Sequence, residues 1–413
     1  MALIPLLIHS RSVISRSDKP LKWNRYGHRR LSQTFLCQFK LLAHYVSLPA
    51  QNIHKKYGGF IMTKIGRLLF HAGLASTLAL SVSAGAASSY KAPRNSNGHP
   101  DIQGIWDFRN LTPLERPKAL GDKTIFSQAE LEAFKQKAIA ANDTDAITDL
   151  PAEADVEVPY NSFWLDYGDQ LSEDRRTSLI VDPPNGRLPA LTKEALAGLK
   201  NSTQRDFPVR DIVSIGLSAA GWRPPGPESL GLSERCLMGF NAGPPLVPSA
   251  YNNNLRIVQT PDHIVLVTEM IHEARIIPID GSPHLPEEMR RWAGDGRGRW
   301  EGDTLVVETT NFTDKTPTFQ LPLTLDNPGI AGAVGTARNM HLVERFTRTG
   351  ESSLHYEYTL TDPKTFTKPF SVAIPLKKFD GQMFEYACHE GNYALAGILK
   401  GARQEEKDEA VKQ

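Results

Sequence analysis

The sequence predicts a mostly β protein, an antiparallel barrel or sandwich of about nine or more strands. Apolar, β-branched runs recur at short intervals after Tyr251, and tight polar turns join them. The first half is irregular and Pro-rich, and each proline removes a backbone donor and fixes φ. Two or three short helices complete the predicted fold. Closure of the sheet would remove the exposed edges of its strands.

The first half predicts one strand and two helices. Residues Pro100–Phe108 have the pattern of an opening strand. Ser127 and Glu130 form a capping box, which predicts a helix through about Ala141. Thr192 is positioned to cap a second short helix through about Lys200. The Pro-rich turns around these elements are Asp182–Gly186, Arg223–Pro227 and Gly243–Pro245.

The second half supplies most of the predicted sheet. A short helix is expected from Pro286 to Trp292, and Gly294–Gly298 is interpreted as the loop before a strand. The predicted strands are Leu255–Thr260, Ile264–Glu269, Ala274–Ile279, Arg297–Glu301, Thr304–Thr310, His341–Arg348, Ser353–Thr361, Ser371–Phe379 and Met383–Cys388.

Composition divides the 413-residue chain into four parts. Residues 1–61 hold ten Lys or Arg and one acid, and we interpret them as a gene-model artefact or a disordered basic extension. Residues 62–86 have the pattern of a signal peptide. Residues 87–403 are expected to form a single mature domain, with an irregular and helical wrap (87–250) and an antiparallel β core (251–403). Residues 404–413 are polar and predict a disordered tail.

The signal peptide is read from three successive features. Met62–Arg67 is a short basic start, Leu68–Val82 is an apolar run, and Ala84–Ala86 is a small-residue cleavage site. The apolar run is too short to cross ~30 Å of hydrocarbon. We therefore expect a periplasmic or secreted protein with no integral membrane anchor after processing.

Charge narrows the range of partners. The first 86 residues carry +11, so the remaining residues carry −10 of the chain's net +1. Nucleic acids and anionic membranes attract basic surfaces. The sequence therefore argues against a nucleic-acid partner, and a small-molecule ligand or substrate is the expected partner.

Two cysteines, Cys236 and Cys388, follow the signal peptide. In an oxidising compartment two cysteines most simply pair, and two buried free thiols are the alternative. The disulfide would close a loop of about 150 residues, for which the chain-entropy model gives about 5 kcal/mol.

Seven segments of the mature chain carry recognisable signatures: Asp101–Trp106, Arg176–Pro184, Glu234–Leu237, Tyr251–Asn254, Glu269–His272, Trp300–Glu308 and Tyr386–Tyr393. Through them the chain resembles a broad family of uncharacterised exported bacterial proteins, and this resemblance implies export without a particular reaction. Gly104, Trp106 and the turn at Trp300–Asp303 also resemble lipocalin and fatty-acid-binding barrels, which implies an apolar ligand.

The candidate catalytic residues are histidines and their acidic neighbours. If Ile264–Ile276 kept one strand pattern, His272 would face an apolar layer and Glu269 the opposite side. A hydrogen-bonded core histidine is the alternative interpretation of His272. His389 and Glu390 follow Cys388 at a predicted strand end, where sites are commonly built. His341 shares a strand face with Arg345, for which a salt bridge is expected, and Glu344 lies on the other face.

Three functions remain open. The first is an enzyme using acid–base or single-metal chemistry on a small organic molecule, by hydrolysis, elimination or isomerisation. Its active groups would be His272, His341 and His389 with Glu269 or Glu390. The second is a non-catalytic barrel that binds an apolar ligand, and the third is an interaction module that uses the Pro-rich half. Convergence of the three histidines in one concave site would favour the enzyme, and scattered histidines would favour the binding barrel or the interaction module. No cofactor motif or metal-ligand set is assigned.

Overall fold

The computed structural model describes residues 90–143, 145, 162–201, 223–321 and 332–412. The expectations for residues 1–61 and for the signal peptide at 62–86 lie outside the described residues. The described residues belong to one unit of the chain, Val82–Gln413.

Strands dominate the described part of the chain, so the predicted mostly β class is confirmed. The strands are β1 Gly104–Asp107, β2 Ile180–Asp182, β3 Asn254–Gln259, β4 His263–Thr268, β5 Ala274–Pro278, β6 Asp295–Glu301, β7 Thr304–Thr310, β8 Phe319–Leu321, β9 Gly332–Val334, β10 His341–Arg348, β11 Ser353–Thr361 and β12 Phe370–Lys378. The α-helices are α1 Gln128–Ala141, α2 Lys193–Asn201 and α3 Tyr393–Lys412.

Nine strands form one antiparallel path in the order β5–β4–β3–β1–β12–β11–β10–β7–β6. Strand β2 pairs with the start of β12, and β8 and β9 form a separate hairpin. Strand β10 lies between β11 and β7, and its residue Glu344 is opposite Tyr358 on β11 and Val307 on β7. Because nine strands alternate in direction, the two outer strands β5 and β6 run the same way.

The sheet curls until β5 and β6 meet, which makes a nearly closed barrel. We call this junction the seam. Gly298 of β6 is essential there, because an added Cβ would lie 2.7 Å from Cγ2 of Ile279 and 3.2 Å from Cγ2 of Ile277. Gly296 also faces Ile277, but an added Cβ there would make an ordinary contact at 3.4 Å. Gly298 is therefore the glycine that lets the edge strands approach without a side chain between them.

Alternate residues of each strand fill the barrel. In β11 every second residue is buried, and Tyr356 and Tyr358 are fully buried. Phe346 of β10 packs on Tyr356 with ring centroids 4.8 Å apart, and Trp106 of β1 belongs to the same cluster. Burial of each such side chain contributes about 1.5–3 kcal/mol. Around these residues, the interior of the barrel is filled by the protein's own side chains.

The segment before β1 covers the barrel end formed by the β3–β4 and β6–β7 turns. Ile102 is fully buried, and its backbone N–H donates to the Gln259 side chain at 2.8 Å. His99 stacks on Trp300 with ring centroids 5.0 Å apart. The predicted opening strand is therefore a short strand preceded by a cap, with pairing confined to Gly104–Asp107.

Both predicted helices of the first half are confirmed. Ser127 accepts from the Glu130 backbone and Glu130 accepts from the Ser127 backbone, so the capping box of α1 is complete. The Thr192 hydroxyl accepts from the Ala195 N–H at 3.1 Å at the start of α2.

The predicted helix at Pro286–Trp292 is wrong. Asn311 donates its side-chain amide to the carbonyls of Leu285 and Pro286, which a helix would need for its own hydrogen bonds. Arg291 instead forms a bridge with Phe312. The loop expected at Gly294–Gly298 is also shorter, because β6 already begins at Asp295.

The predicted strand Met383–Cys388 is wrong as well. β12 already has β11 on one side, with β1 and β2 on the other, so no edge of β12 is left for a following hairpin. The disordered tail expected at 404–413 is replaced by α3, which continues through Lys412. Arg223 bonds to Glu405 and Glu409, and these ion pairs hold the last turns of α3.

Candidate functional site

Distant segments of the sequence meet around one disulfide, at the barrel end where β4 finishes and β5 begins. Cys236 and Cys388 are bonded with Cα atoms 5.7 Å apart, so the predicted pairing is confirmed. We call the surrounding group the disulfide cluster: it comprises Cys236, Phe240, Ala242, Tyr251, Met270, Ile271, Tyr386 and Cys388. Four of the seven signature segments of the sequence contribute to it: Glu234–Leu237, Tyr251–Asn254, Glu269–His272 and Tyr386–Tyr393.

Aromatic stacking joins two of these segments. Tyr251 and Tyr386 are stacked with centroids 6.4 Å apart, and Phe240 meets Tyr251 edge-on at 5.4 Å. Asn241 is fully buried and donates to the carbonyls of Tyr251 and Asn252. Asn241 therefore fixes the backbone at the start of the asparagine run Asn252–Asn254 at this end of the barrel.

Glu269, a predicted candidate, is buried beside the disulfide cluster. One carboxylate oxygen accepts from the Asn254 side chain at 2.8 Å, and the other accepts from the Phe384 backbone N–H at 3.0 Å. Both donors are neutral groups. The carboxylate thus ties the segment after β12 to the end of β4, which gives Glu269 a clear structural role.

Backbone strain is concentrated in the same region. Four non-glycine residues here have positive φ: Cys236 at 55°, Asn252 at 52°, Ile271 at 55° and His272 at 45°. This conformation is especially unfavourable for a β-branched residue such as Ile271. Strained residues cost about 1–3 kcal/mol each and gather at functional sites, which makes this end of the barrel a candidate site.

The interior position expected for His272 is wrong. β4 ends at Thr268, and Met270–His272 form one 3₁₀ turn, so the strand pattern is interrupted before His272. His272 is exposed. After the turn the faces exchange: Arg275 and Ile277 point inward, and Ile276 is 65% exposed.

Arg275 carries a positive charge into the barrel interior, where Glu344 compensates it. The guanidinium binds both carboxylate oxygens of Glu344, and the Tyr356 hydroxyl donates to the same carboxylate at 2.8 Å. Thr309 accepts a further bond from Arg275 at 3.2 Å. Burial by itself would lower the pKa of Arg275, but Glu344 more than offsets this and raises it.

A cavity of about 250 Å³ opens at the seam, next to the turn that bears His272. We call it the seam cavity. Its lining residues are Leu237, Glu273, Ala274, Arg275, Ile276, Ile277, Arg291, Trp292, Ala293, Gly294 and Gly296. Leu237 follows the disulfide residue Cys236, so the disulfide cluster positions one wall of the cavity. Its volume is close to the lower end of ligand pockets, about 300 Å³.

Glu273 is the titratable group that distinguishes the seam cavity. Burial raises the pKa of the Glu273 carboxyl, and the charges of Arg275 and His272 offset only part of that rise. A carboxyl that keeps its proton to higher pH can donate as well as accept, which is the property of a general acid or base. Perturbed groups in cavities are candidates for catalysis.

The other predicted candidates lie apart from the seam cavity. His389 and Glu390 are exposed in the turn between Cys388 and α3. His341 lies on the outer wall, where its Nε2 is 2.6 Å from Oε1 of Glu308. Arg345 shares this outer face and pairs with Glu301 at 2.7 Å, as predicted, while Glu344 points inward. The three histidines therefore do not converge on one concave site, so an enzyme built on them loses support relative to a binding barrel or an interaction module.

Sequence reasoning missed the principal groups of the seam cavity. An unbroken strand pattern over Ile264–Ile276 would place Glu273 and Arg275 on the same side as Glu269, opposite the apolar layer, but the turn at Met270–His272 breaks that pattern. A usable signal was present: a lone arginine in an otherwise apolar strand, Ala274–Pro278, indicates a buried partner. Trp292 lacked such a signal, because its position depends on the bridge between Arg291 and Phe312.

In the described ranges, no group of three or more His, Cys, Asp or Glu side chains is arranged to hold a metal ion. None of the helices in the described part of the chain is long and apolar enough to span a membrane.

Comparisons of the chain with protein-family models, with curated proteins and with solved structures return no match. The class of protein is therefore described by its fold and its cavity alone. The protein is a disulfide-tied, nearly closed antiparallel β-barrel with a cavity at the seam between its edge strands.

Proposed function

We propose that the protein is an exported enzyme, periplasmic or secreted, that acts on a small organic molecule in the seam cavity by general acid–base chemistry. The observation that carries this proposal is Glu273, a half-buried carboxyl with a raised pKa in the wall of a cavity. Hydrolysis, elimination and isomerisation all require a proton to be given or taken at a fixed point.

Charge and shape indicate the kind of substrate. Arg291 lines the cavity with its side chain 62% exposed, and the nearest carboxylate to it, on Asp295, is 4.0 Å away. Trp292 and Ile276 supply apolar surface beside it. A small organic anion would place its carboxylate on Arg291 and its apolar part on Trp292, with Glu273 close to the reacting atoms.

Arg275 has a supporting role in this proposal. Its charge is already balanced by Glu344, so it contributes a fixed dipole at the base of the cavity and leaves the net charge of the site nearly unchanged. Such preorganised groups stabilise charge that develops in a transition state. The disulfide and the turn beside it keep the opposite wall in place.

Export is supported by two observations. The intramolecular disulfide is typical of oxidising compartments, and the pattern at 62–86 is that of a signal peptide. The N-terminal sequence of the mature protein, purified from its source, tests this part. A start near residue 87 supports export, and an intact N-terminus contradicts it.

The catalytic proposal is tested with Glu273→Gln, which keeps the shape of the side chain and removes its proton chemistry. Small carboxylates are first screened by quenching of tryptophan fluorescence, and each ligand found is then followed for turnover by proton NMR. We expect Glu273→Gln to bind within a few-fold of the wild type and to lose about 10²–10⁴ in turnover.

Glu287→Gln is the matched control, because Glu287 is 83% exposed and lies outside the seam cavity. It should keep the turnover of the wild type. Equal turnover of Glu273→Gln and wild type would refute the role of Glu273. Binding without turnover by the wild type would instead support a non-catalytic binding protein.

A further inference from the structure

One wall of the seam cavity is a stretch of extended main chain. Five consecutive residues line it: Glu273, Ala274, Arg275, Ile276 and Ile277. At a rise of about 3.3 Å per residue, this stretch is about 13 Å long. It belongs to β5, an end strand of the sheet path, so one of its edges has no neighbouring strand hydrogen-bonded to it.

The pairing of β5 with β4 shows which backbone groups of β5 point to the seam. The Thr268 N–H donates to the Glu273 carbonyl at 2.9 Å, so residues of the same parity as Glu273 bond to β4. In an antiparallel pair, such residues alternate with residues whose N–H and C=O point the other way. Ala274 and Ile276 therefore direct these groups away from β4, toward the seam.

The backbone groups of Ala274 and Ile276 have no hydrogen-bond partner among the described residues. Both residues are exposed. Each N–H and C=O on such an edge is a ready partner for another extended chain. Extended peptides commonly bind by pairing with an exposed sheet edge, where the main chain supplies affinity and pockets beside it supply specificity.

The seam opens toward the starts of β5 and β6, which leaves this edge facing the cavity. Near Gly298 the two strands are close, because an added Cβ would lie 3.5 Å from the Pro278 carbonyl oxygen. Across from the start of β5, the cavity is lined instead by the segment Arg291–Gly294. A partner for the edge groups of Ala274 and Ile276 must therefore come from a bound molecule or from water.

Arg291 indicates the charge of that molecule. Its side chain is 62% exposed, and the Asp295 carboxylate, 4.0 Å away, already accepts from Arg297 at 2.9 Å. The guanidinium is therefore open to a second carboxylate, which an arginine can bind through two parallel hydrogen bonds. Trp292 lines the cavity beside it and offers an apolar surface.

We propose that the small anion bound in the seam cavity is a short peptide with a free C-terminal carboxylate. Its main chain pairs with the β5 edge at Ala274 and Ile276, its carboxylate binds Arg291, and an apolar side chain contacts Trp292. Glu273 directly precedes Ala274, so the paired amide lies beside the acid–base group. The inference rests on the proposed function, because it names the occupant of the same cavity.

The probe is N-acetyl-alanyl-leucine, titrated into the purified mature protein and followed by tryptophan fluorescence. Two analogues, each N-methylated at one amide nitrogen, remove one N–H donor at a time. Because the N–H groups of successive residues point to opposite sides, a peptide paired with the edge uses one of the two. One analogue should therefore bind about three- to tenfold more weakly than the probe, which is the effect of one hydrogen bond.

Two proline variants test the protein side of the same bonds. Ala274→Pro and Ile276→Pro each remove one N–H that faces the seam and keep the bonds to β4, and proline is tolerated on edge strands. The ψ of Glu273 is 127°, which suits a residue before proline. At least one variant should bind the probe about three- to tenfold more weakly. Ala274→Ser and Ile276→Val keep the N–H groups and should bind more tightly than the matching proline variant.

The carboxylate contact is tested by a cycle of ligand and protein changes. The C-terminal amide of the probe should bind wild type about fivefold or more weakly than the acid does. Arg291→Gln should weaken binding of the acid by a similar factor and leave binding of the amide unchanged. Arg299→Gln is the matched control, because Arg299 is 52% exposed and pairs with Glu301 on the outer wall. It should leave both affinities unchanged.

Thermal unfolding of each variant shows whether it is folded, and if neither proline variant folds, the N-methylated peptides decide the question. Binding of the probe without turnover would support this assignment and refute only the proposed reaction. Three results would overturn the assignment: no binding of the probe at millimolar concentration, equal binding of the probe and both N-methylated analogues, or equal affinity of wild type and both folded proline variants. A simple carboxylate that binds as tightly as the probe would also overturn the peptide class, and would leave the proposed function standing.

Discussion

Removing one partner of the Arg275–Glu344 pair should be among the most damaging single changes in the barrel. Glu344 is fully buried, and Arg275 is 8% exposed where it lines the seam cavity, so little water is available to replace either partner. Glu344→Gln would leave the guanidinium buried with its charge uncompensated. Breaking a buried pair in this way costs about 3–5 kcal/mol of unfolding free energy.

The magnitude follows from the bonds that the structure shows. The Glu344 carboxylate accepts two bonds from Arg275 and one from the Tyr356 hydroxyl. Arg275→Met should cost a similar amount, because it leaves the carboxylate with Tyr356 alone. The double variant Arg275→Met/Glu344→Leu should be far less damaged than the sum of the single variants, since no uncompensated charge remains.

Urea unfolding followed by tryptophan fluorescence at pH 7 measures these differences, with equal slopes required before free energies are compared. Glu301→Gln is the matched control on the outer wall, where Glu301 pairs with Arg345 at 2.7 Å and both side chains are 40% exposed. It should cost under about 1 kcal/mol. A Glu344→Gln cost equal to that of Glu301→Gln would refute the buried-pair reasoning.

Three further predictions test the barrel, its disulfide and its outer wall. Gly298→Val should destabilise the fold by about 1–3 kcal/mol in urea unfolding, because the added side chain would collide with Ile279 at the seam. Gly397→Ala in α3 is the control, because an added Cβ has open space there and the change should be neutral or stabilising. Cys388→Ser should cost about 2–5 kcal/mol in the same assay, and a loss under 1 kcal/mol would contradict the role given to the disulfide. The hydrogen bond from His341 lowers the pKa of Glu308, with burial opposing it, so the folded state holds its proton less tightly than the unfolded state does. That contribution is present above the unfolded pKa, about 4.3, and is lost as the pH falls below it through the lower folded pKa. Glu308→Gln should therefore reduce the acid dependence of stability below about pH 5, and an unchanged dependence would contradict this prediction.

The fold could be predicted from the sequence to the extent that local patterns decide it. The alternation in Ser353–Thr361 and the capping box at Ser127 survive unchanged in the structure, because strand faces and helix starts depend on neighbouring residues. The disulfide was also predictable, because only two cysteines, Cys236 and Cys388, follow residue 86.

The rest depended on distant contacts that no local pattern reveals. Met383–Cys388 alternates as a strand would, but β1 and β2 already occupy the edge of β12. Pro286–Trp292 begins with a helix-like sequence, but the side chain of Asn311, which follows β7, donates hydrogen bonds to the carbonyls of Leu285 and Pro286. His272 lost its expected interior position through a turn of three residues, and the same turn brought Glu273 to the seam cavity.

The titration of the Glu273 carboxyl tests the proposed site most directly. Carbon-13 NMR of protein labelled at glutamate, with Glu273→Gln used to assign the resonance, gives its midpoint in the folded protein. Burial at the seam predicts a midpoint above the ordinary glutamate value of about 4.3. A midpoint at or below that value would show a solvated carboxylate and would contradict an acid–base site at the seam.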